Sequence, residues 1–493
     1  ALILMLAAPA QSQPVISEFM AENDKTLADG DGQYSDWIEL HNPDPVEVNL
    51  AGWYLTDDSK NLTKWQFPAV TIPAGGYFVV FASDKDRRDP AGELHTNFDL
   101  DADGEYLALV MPDGTTIVSQ FAPKFPKQID DVSYGVTQGF ATGETPRNGY
   151  FRVASPGIRN GGVDSLVVVE KVTLSRLSGP FTGTISLSMS GAAEGQRIRY
   201  VMAPPDTGGA GVPEPTADSA EYTGSITIST STIVRATVFS ADNLQRGFTA
   251  SGHYVRLATS GASRIDTFAS QLPLIVIDTH GSGPLVKDGI ERPAWLYAWN
   301  RPTSGNTALT NPPTAASSLT TNVRGSSSAE FPKKGFTIRL TDSNGKDDSV
   351  PLLGLPSFDT WVLVGPWTYD PTYLHNTIIY DLSNRMGRWA PRTQVVEAFL
   401  NTNGGDLDYG DYVGIYILTD ALRIDKKRVD ITSLSPKDLS GNAITGGYLM
   451  KFDVPDPEDF SFQTKRNYPG PPNALLVTSP KAEDLPQAQR EYI

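Results

Sequence analysis

Apolar and polar residues alternate along most of this chain, and that alternation predicts short strands joined by tight turns. Residues 35–43, 76–81 and 105–110 each alternate with a period of two, and Pro112-Asp113-Gly114 follows the last as a turn. Strands at this spacing predict a β-sandwich over residues 14–162. A second β-rich unit is expected over residues 163–260. There Ile185, Leu187 and Met189 alternate, as do Ile198, Tyr200 and Met202, and residues 225–229 and 233–239 read as further strands. The Pro/Gly-rich run 204–215 reads as an exposed loop. After a linker at 261–266, an apolar strand at 272–278 opens a third unit over residues 268–493, with a Pro/Thr/Ser/Asn-rich insertion at 295–319.

In that third unit Phe336, Ile338 and Leu340 alternate with Thr337 and Arg339. Residues 361–365, 395–400, 412–418 and 446–453 read as further strands. One stretch changes period. Within 370–387, Leu374, Ile378, Ile379, Leu382 and Met386 recur three to four apart, which predicts a helix. Pro371 suits its first turn and Gly387 its stop. Strands mixed with a helix predict an α+β domain. The expected architecture is therefore multidomain: two N-terminal immunoglobulin-like β-sandwiches and then an α+β unit.

Composition narrows the function. A length of 493 residues suggests about two to four domains. The formal net charge of -17 argues against nucleic acid and anionic lipid as partners, so an anion site must be local. With no cysteine, disulfides and thiolate metal sites are excluded. Five scattered histidines argue against a His-based metal site. Residues 1–13 open with the apolar run Ala1 to Ala10 and resemble the remnant of a secretory signal peptide; a buried first strand is the alternative. No later segment is long and apolar enough for a membrane helix. A secreted or surface-attached bacterial protein is expected.

The candidate chemistry centres on residues 323–340. Arg324-Gly325-Ser326-Ser327-Ser328 is a polar turn rich in backbone N–H groups, and Lys333 and Lys334 stand beside it. Such a turn cradles anions, although a solvated charged face has the same composition. A second basic cluster contains Arg423, Lys426, Lys427 and Arg428. Residues 99–104 spell D-x-D-x-D-G, a calcium-loop pattern, but Val110 stands where a bidentate Glu is needed, and a hairpin turn explains the same residues. H-E-x-x-H, G-x-S-x-G and G-x-x-x-x-G-K are absent from the sequence.

Three resemblances add to this reading. Ile16-Ser-Glu-Phe-Met20, residues 36–42, residues 50–55 and the closing Ala154-Ser-Pro-Gly-Ile-Arg-Asn160 resemble a bacterial lamin-tail domain. Residues 198–201, 221–226 and 233–239 resemble the small β-sandwich appended to chitobiases and hexosaminidases. Both imply adhesive or spacer modules with glycan or cell-envelope contacts. Residues 324–328, 331–340, His375-Asn376, Val396-Glu397, 412–420 and 446–453 resemble the CotH family of spore-coat atypical protein kinases. That resemblance implies ATP with Mg or Mn, and phosphate transfer to Ser or Thr of coat or surface proteins. It implies Lys333 or Lys334 as the phosphate-pairing lysine and Arg324, Gly325, Ser326, Ser327 and Ser328 as the cover over the phosphates. Asp420, where the family usually has Glu, would orient the lysine, and Asp453 is a candidate metal ligand. Ser326 replaces the family's usual Asn, and its Trp-Asp-Phe-Asp-like motif does not occur. An inactive fragment is expected on that ground, and a non-catalytic surface scaffold with a pseudokinase-like domain is the alternative.

Overall fold

A computed structural model describes residues 13–138, 145–162, 165–204, 212–342, 347–455, 459–464, 466 and 473–493. The signal-peptide expectation, apart from Gln13, and most of the predicted loop at 204–215 fall outside those residues.

The N-terminal unit is a β-sandwich. Its larger sheet runs in the order Leu166–Val167, Asn148–Phe151, Ser133–Val136, Val15–Met20, Asp36–His41, Tyr77–Ala82. The facing sheet runs Trp65–Gln66, Tyr54–Thr56, Leu107–Val110, Ile117–Phe121. Ile16, Phe19, Ile38 and Leu40 from one sheet pack against Leu55, Trp65, Leu107 and Leu109 from the other. The alternation at 36–41 has a simple cause. Ile38 and Leu40 enter the core, while Trp37 packs with Met20 and Phe81 on the opposite face.

The second unit has a five-stranded sheet ordered Gly179–Phe181, Ala250–Arg256, Thr232–Phe239, Arg197–Ala203, Ala220–Glu221, flanked by two-stranded ribbons. Leu187, Ile198, Val234, Val238 and Tyr254 form its core. An apolar cluster of Val255, Leu257, Leu274, Val276, Trp299 and Phe399 joins it to the third unit. Arg256 pairs with Asp406 across that joint at 2.7 Å.

The third unit is a closed barrel of seven strands: β1 (Leu274–Asp278), β2 (Arg292–Trp299), β3 (Ala315–Arg324), β4 (Gly335–Thr341), β5 (Thr360–Val364), β6 (Thr393–Asn401) and β7 (Tyr412–Asp420). The order is β1-β2-β3-β4-β5-β7-β6, and β6 closes the ring by pairing parallel to β1 from Leu274↔Glu397 to Asp278↔Asn401. Ile277, Leu296, Leu319, Ile338, Leu340, Trp361, Leu363 and Leu418 fill the interior. Closure leaves no unpaired strand edge to be covered. A smaller sheet follows, with β8 (Leu449–Asp453), β9 (Ser461–Phe462) and β10 (Ala474–Ser479) in the order β8-β10-β9.

Two expectations change here. The third unit is mostly strand, with α1 (His375–Arg385) and a short helix at Gln487–Tyr492, so the α+β description is met only by this minor helical part. Alternation along a strand reports its two faces but not that the first and last strands of a sheet will pair. The predicted insertion at 295–319 is also shorter, because β2 and β3 claim both of its ends. Ser317, Leu319 and Thr321 alternate inward on β3, so hydroxyl residues that resembled a loop lie in a strand.

The helix forms, but over a shorter span than 370–387. Asp370 accepts the His375 amide at 3.2 Å and holds residues 370–374 as a turn. Gly387 follows the helix at φ +76°, where a side chain would be strained. Leu374, Ile378, Ile379, Leu382 and Met386 all remain exposed among the described residues, Met386 by 76%.

Candidate active site

A cavity of about 620 Å³ opens on the outer face of the barrel. Its walls come from the end of β3, the strands β5 and β7, the start of β6, helix α1, and the edges of β8 and β10. Arg324, Ser328, Lys333, Asn376, Asp420 and Lys451 are among its polar lining.

The predicted turn is built as a tight backbone corner. Gly325 has φ +97°, and a Cβ there would stand 2.1 Å from the Ser328 Oγ. The corner leads into a single 3-10 turn, Ser327–Glu330, preceded by Ser326. Arg324 and Ser328 reach the cavity wall from its two sides.

The two lysines separate. Lys333 places its Nζ 4.8 Å from the centre of the Tyr373 ring and 4.7 Å from that of Tyr416. The same Nζ is 3.4 Å from the Tyr373 hydroxyl. Two glycines make room for it. A Cβ on Gly365 would meet Lys333 Cγ at 3.0 Å, and one on Gly414 would meet its Nζ at 3.4 Å. Lys334 instead donates to the Ala329 carbonyl at 2.6 Å and lines a separate pocket of about 190 Å³. Neighbouring residues at the mouth of a strand point to opposite sides, so the larger cavity receives only one of the pair. Among the described residues, neither Lys333 nor Arg324 has a carboxylate partner. Two cations with no paired carboxylate thus stand at one cavity in a chain of net charge -17, an arrangement that suits an anion.

Asp420 does not orient Lys333. Its buried carboxylate accepts from the Arg392 amide at 2.9 Å, from Arg392 Nε at 2.7 Å and from Arg392 Nη2 at 3.1 Å. Arg428 Nε approaches it at 3.5 Å. Arg428 is itself buried, lies 3.6 Å over the Phe358 ring, and donates to the Ala421 and Thr360 carbonyls. Two guanidiniums therefore occupy the acid that the resemblance assigned to the lysine. The second basic cluster does not cradle an anion as a unit: Arg428 is internal and Arg423 pairs with Asp359 at 2.8 Å, leaving Lys426 and Lys427 exposed.

Asp453 ends β8 paired with Lys451 at 3.0 Å, a contact that holds its carboxyl below the usual range. It joins no cluster of metal ligands among the described residues. The D-x-D-x-D-G stretch is a turn. Asp101 accepts the Asp103 amide at 2.8 Å, Asp103 pairs with Lys127 at 2.6 Å, and Gly104 has φ +90°.

Sequence reasoning missed one constellation. His253, Asp278 and His280 bring their ligand atoms within 4.8 Å of one another, the one such group among the described residues. His253 belongs to the second unit and its partners to the barrel. No local spacing carries that signal.

A family model described as Lamin Tail Domain matches residues 7–124, and one described as CotH kinase protein matches residues 321–492. No curated protein matches the chain. The lamin-tail match thus falls on the N-terminal β-sandwich, and the CotH match runs from the end of β3 onward and contains the residues that line the cavity.

Proposed function

We propose that residues 321–492 act as an atypical protein kinase that takes ATP in the 620 Å³ cavity and transfers its terminal phosphoryl group to a Ser or Thr hydroxyl of a surface or coat protein. Lys333, clear of any described carboxylate, is the observation that carries this reading. Its ammonium and the Arg324 guanidinium neutralise phosphate oxygens, and the 325–328 corner offers backbone N–H groups beside them. In the transfer, the acceptor oxygen bonds to the γ-phosphorus and gives up its hydroxyl proton to solvent, while the bond from that phosphorus to the β,γ-bridging oxygen breaks and ADP leaves. The two β-rich modules serve as secreted, cell-surface spacers that touch glycan or envelope.

The residues present fit the polyphosphate but not Mg or Mn. Asp420, the acid on the cavity wall, is held by Arg392 and Arg428, and Asp453 is held by Lys451. No step is therefore derived through a metal. The same observation favours a second reading, a scaffold that binds nucleotide without transferring phosphate. Titration of ATP, with and without Mg²⁺ or Mn²⁺, tests the first. Saturable binding that weakens on the order of tenfold or more in Lys333→Ala, about 1.4 kcal/mol, and survives in Lys334→Ala is expected. A folded protein that binds no nucleotide ends the kinase reading. Binding without ³²P transfer to a Ser/Thr acceptor selects the scaffold.

A further inference from the structure

The second unit meets the barrel at a buried cluster of two imidazoles and a carboxylate. His253 comes from the strand Ala250–Arg256, Asp278 ends β1, and His280 lies in the turn that follows. His253 Nε2 and His280 Nδ1 are 3.2 Å apart. Each lies 3.9 Å from an Asp278 carboxylate oxygen. We propose that these three side chains bind one Zn²⁺, which clamps the second unit to the barrel.

Three observations carry the proposal. The first is spacing. Zinc holds nitrogen ligands at about 2.0–2.1 Å, which places two ligands of a tetrahedron about 3.3–3.4 Å apart. The nitrogen pair already stands at that separation; the carboxylate, whose Oδ2 lies 3.9 Å from His253 Nε2 and whose Oδ1 lies 3.9 Å from His280 Nδ1, has to turn inward to bring one oxygen to the ion. The second is the tautomer. The Tyr297 hydroxyl donates to the His253 carbonyl at 2.9 Å, so towards His253 Nδ1 it can only accept. Nδ1 therefore carries the hydrogen, and Nε2 presents a lone pair to the centre of the cluster. An imidazole whose far N–H is anchored while its near nitrogen is free is the arrangement that orients metal-bound histidines.

The third is charge. Asp278 is completely buried. Its oxygens receive the His280 amide at 2.9 Å and the Asn401 side-chain amide at 3.3 Å. Among the described residues no Lys or Arg pairs with it, so a divalent cation would supply the missing positive charge. Two nitrogens and one oxygen suit zinc better than calcium or magnesium, and leave one tetrahedral position for water.

The site is remote from the nucleotide cavity. Asn401, beside Asp278, and Thr393, on the cavity wall, stand at opposite ends of β6, about 26 Å apart at the rise of an extended strand. It is structural in position: His253 is buried, and the His280 side chain, 17% exposed, is the way in. The proposal is thus independent of the kinase reading.

The test uses the whole chain, stripped with chelator and titrated with Zn²⁺. One equivalent per chain and a higher melting temperature are expected, with affinity falling on the order of tenfold or more in His280→Ala. His253 and Asp278 are internal, so replacing them can unfold the joint; His280 is the safer probe. Cobalt supplies a readout that needs no variant. Wild-type protein loaded with Co²⁺ should show the intense visible absorption of a tetrahedral site. If His280→Ala fails to fold, that spectrum decides. No bound zinc at equimolar metal, binding unchanged in folded His280→Ala, or a weak octahedral cobalt spectrum overturns the site. The two histidines would then share only an N–H···N hydrogen bond.

Discussion

The lamin-tail sandwich buries Glu18 and Glu39 in the opposite way to the barrel's Asp420. In the sandwich, Glu18 and Glu39 face each other across paired strands and are met by hydroxyls and amides. Ser133 and Ser155 donate to Glu18, while the Ser17 hydroxyl and the Gly157 amide each reach Glu39 at 2.6 Å. The closing segment 154–160 is tied down by these bonds and by Asn160, whose side-chain amide donates to the Ser17 and Val136 carbonyls. In the barrel, Asp420 is met by two guanidiniums, while Lys333 and Arg324 face the cavity with no paired carboxylate among the described residues. The first arrangement uses its polar groups internally to close a fold. The second uses one acid to fix a loop and leaves cations free to meet a ligand. The partner of a buried charge, more than the charge itself, separates structure from site.

The sharpest way to break that comparison is to remove Asp420. Asp420→Ala leaves Arg428 buried without its counter-charge, and about 3–5 kcal/mol of barrel stability is expected to be lost. Denaturant unfolding followed by tryptophan fluorescence measures it, since Trp361 sits in the barrel core. A loss below about 1 kcal/mol would show that Arg428 does not depend on this acid, and the contrast with the sandwich would weaken.

The sandwich should respond to pH instead. Burial pushes the Glu39 carboxyl up from 4.5 to about 8, and raises Glu18 as well. A folded pKa above the unfolded one favours the protonated folded state. The contribution is complete below about pH 4.5 and is lost as pH rises through about 8. The melting temperature of the sandwich should fall across that window, and Glu39→Gln, which cannot ionise, should flatten the fall. An identical slope in the variant would remove Glu39 as the cause.

Much of the sandwich was legible because short strands at 36–41 and 105–110 stand between turn residues, although both faces of these strands are buried and the pattern alone does not say which face meets the other sheet. The turn beside the cavity was legible for a local reason too: Arg324 to Ser328 and Lys333 are close in sequence, and Gly325 announces the corner. What the sequence hid was long-range. Asp420 stands beside Arg392 and Arg428 only after β6 and β7 pair, and a one-dimensional pattern cannot tell which cation an acid will meet. The choice between Lys333 and Lys334 depended on which side of the strand mouth faces the cavity. The His253–Asp278–His280 group joins two units, so the scattered histidines gave no sign of a cluster that the fold brings together. Helix α1 shows the converse: its period was correct, yet its apolar residues remain exposed among the described residues.

The smallest expected effect concerns the acidic turn at 99–104. Asp103 and Lys127 are each 76% exposed, and an ion pair so open to water contributes little. Gly104 fixes the turn instead, because a Cβ there would stand 2.1 Å from the Phe125 carbonyl oxygen. Asp103→Asn should therefore leave the melting temperature unchanged within error, with or without calcium in the millimolar range. A calcium-dependent rise that disappears in Asp103→Asn would make this turn a ligand site. The sandwich would then present outward-facing charges for binding as the barrel does, and the partner rule would have to be restricted to charges that are fully buried.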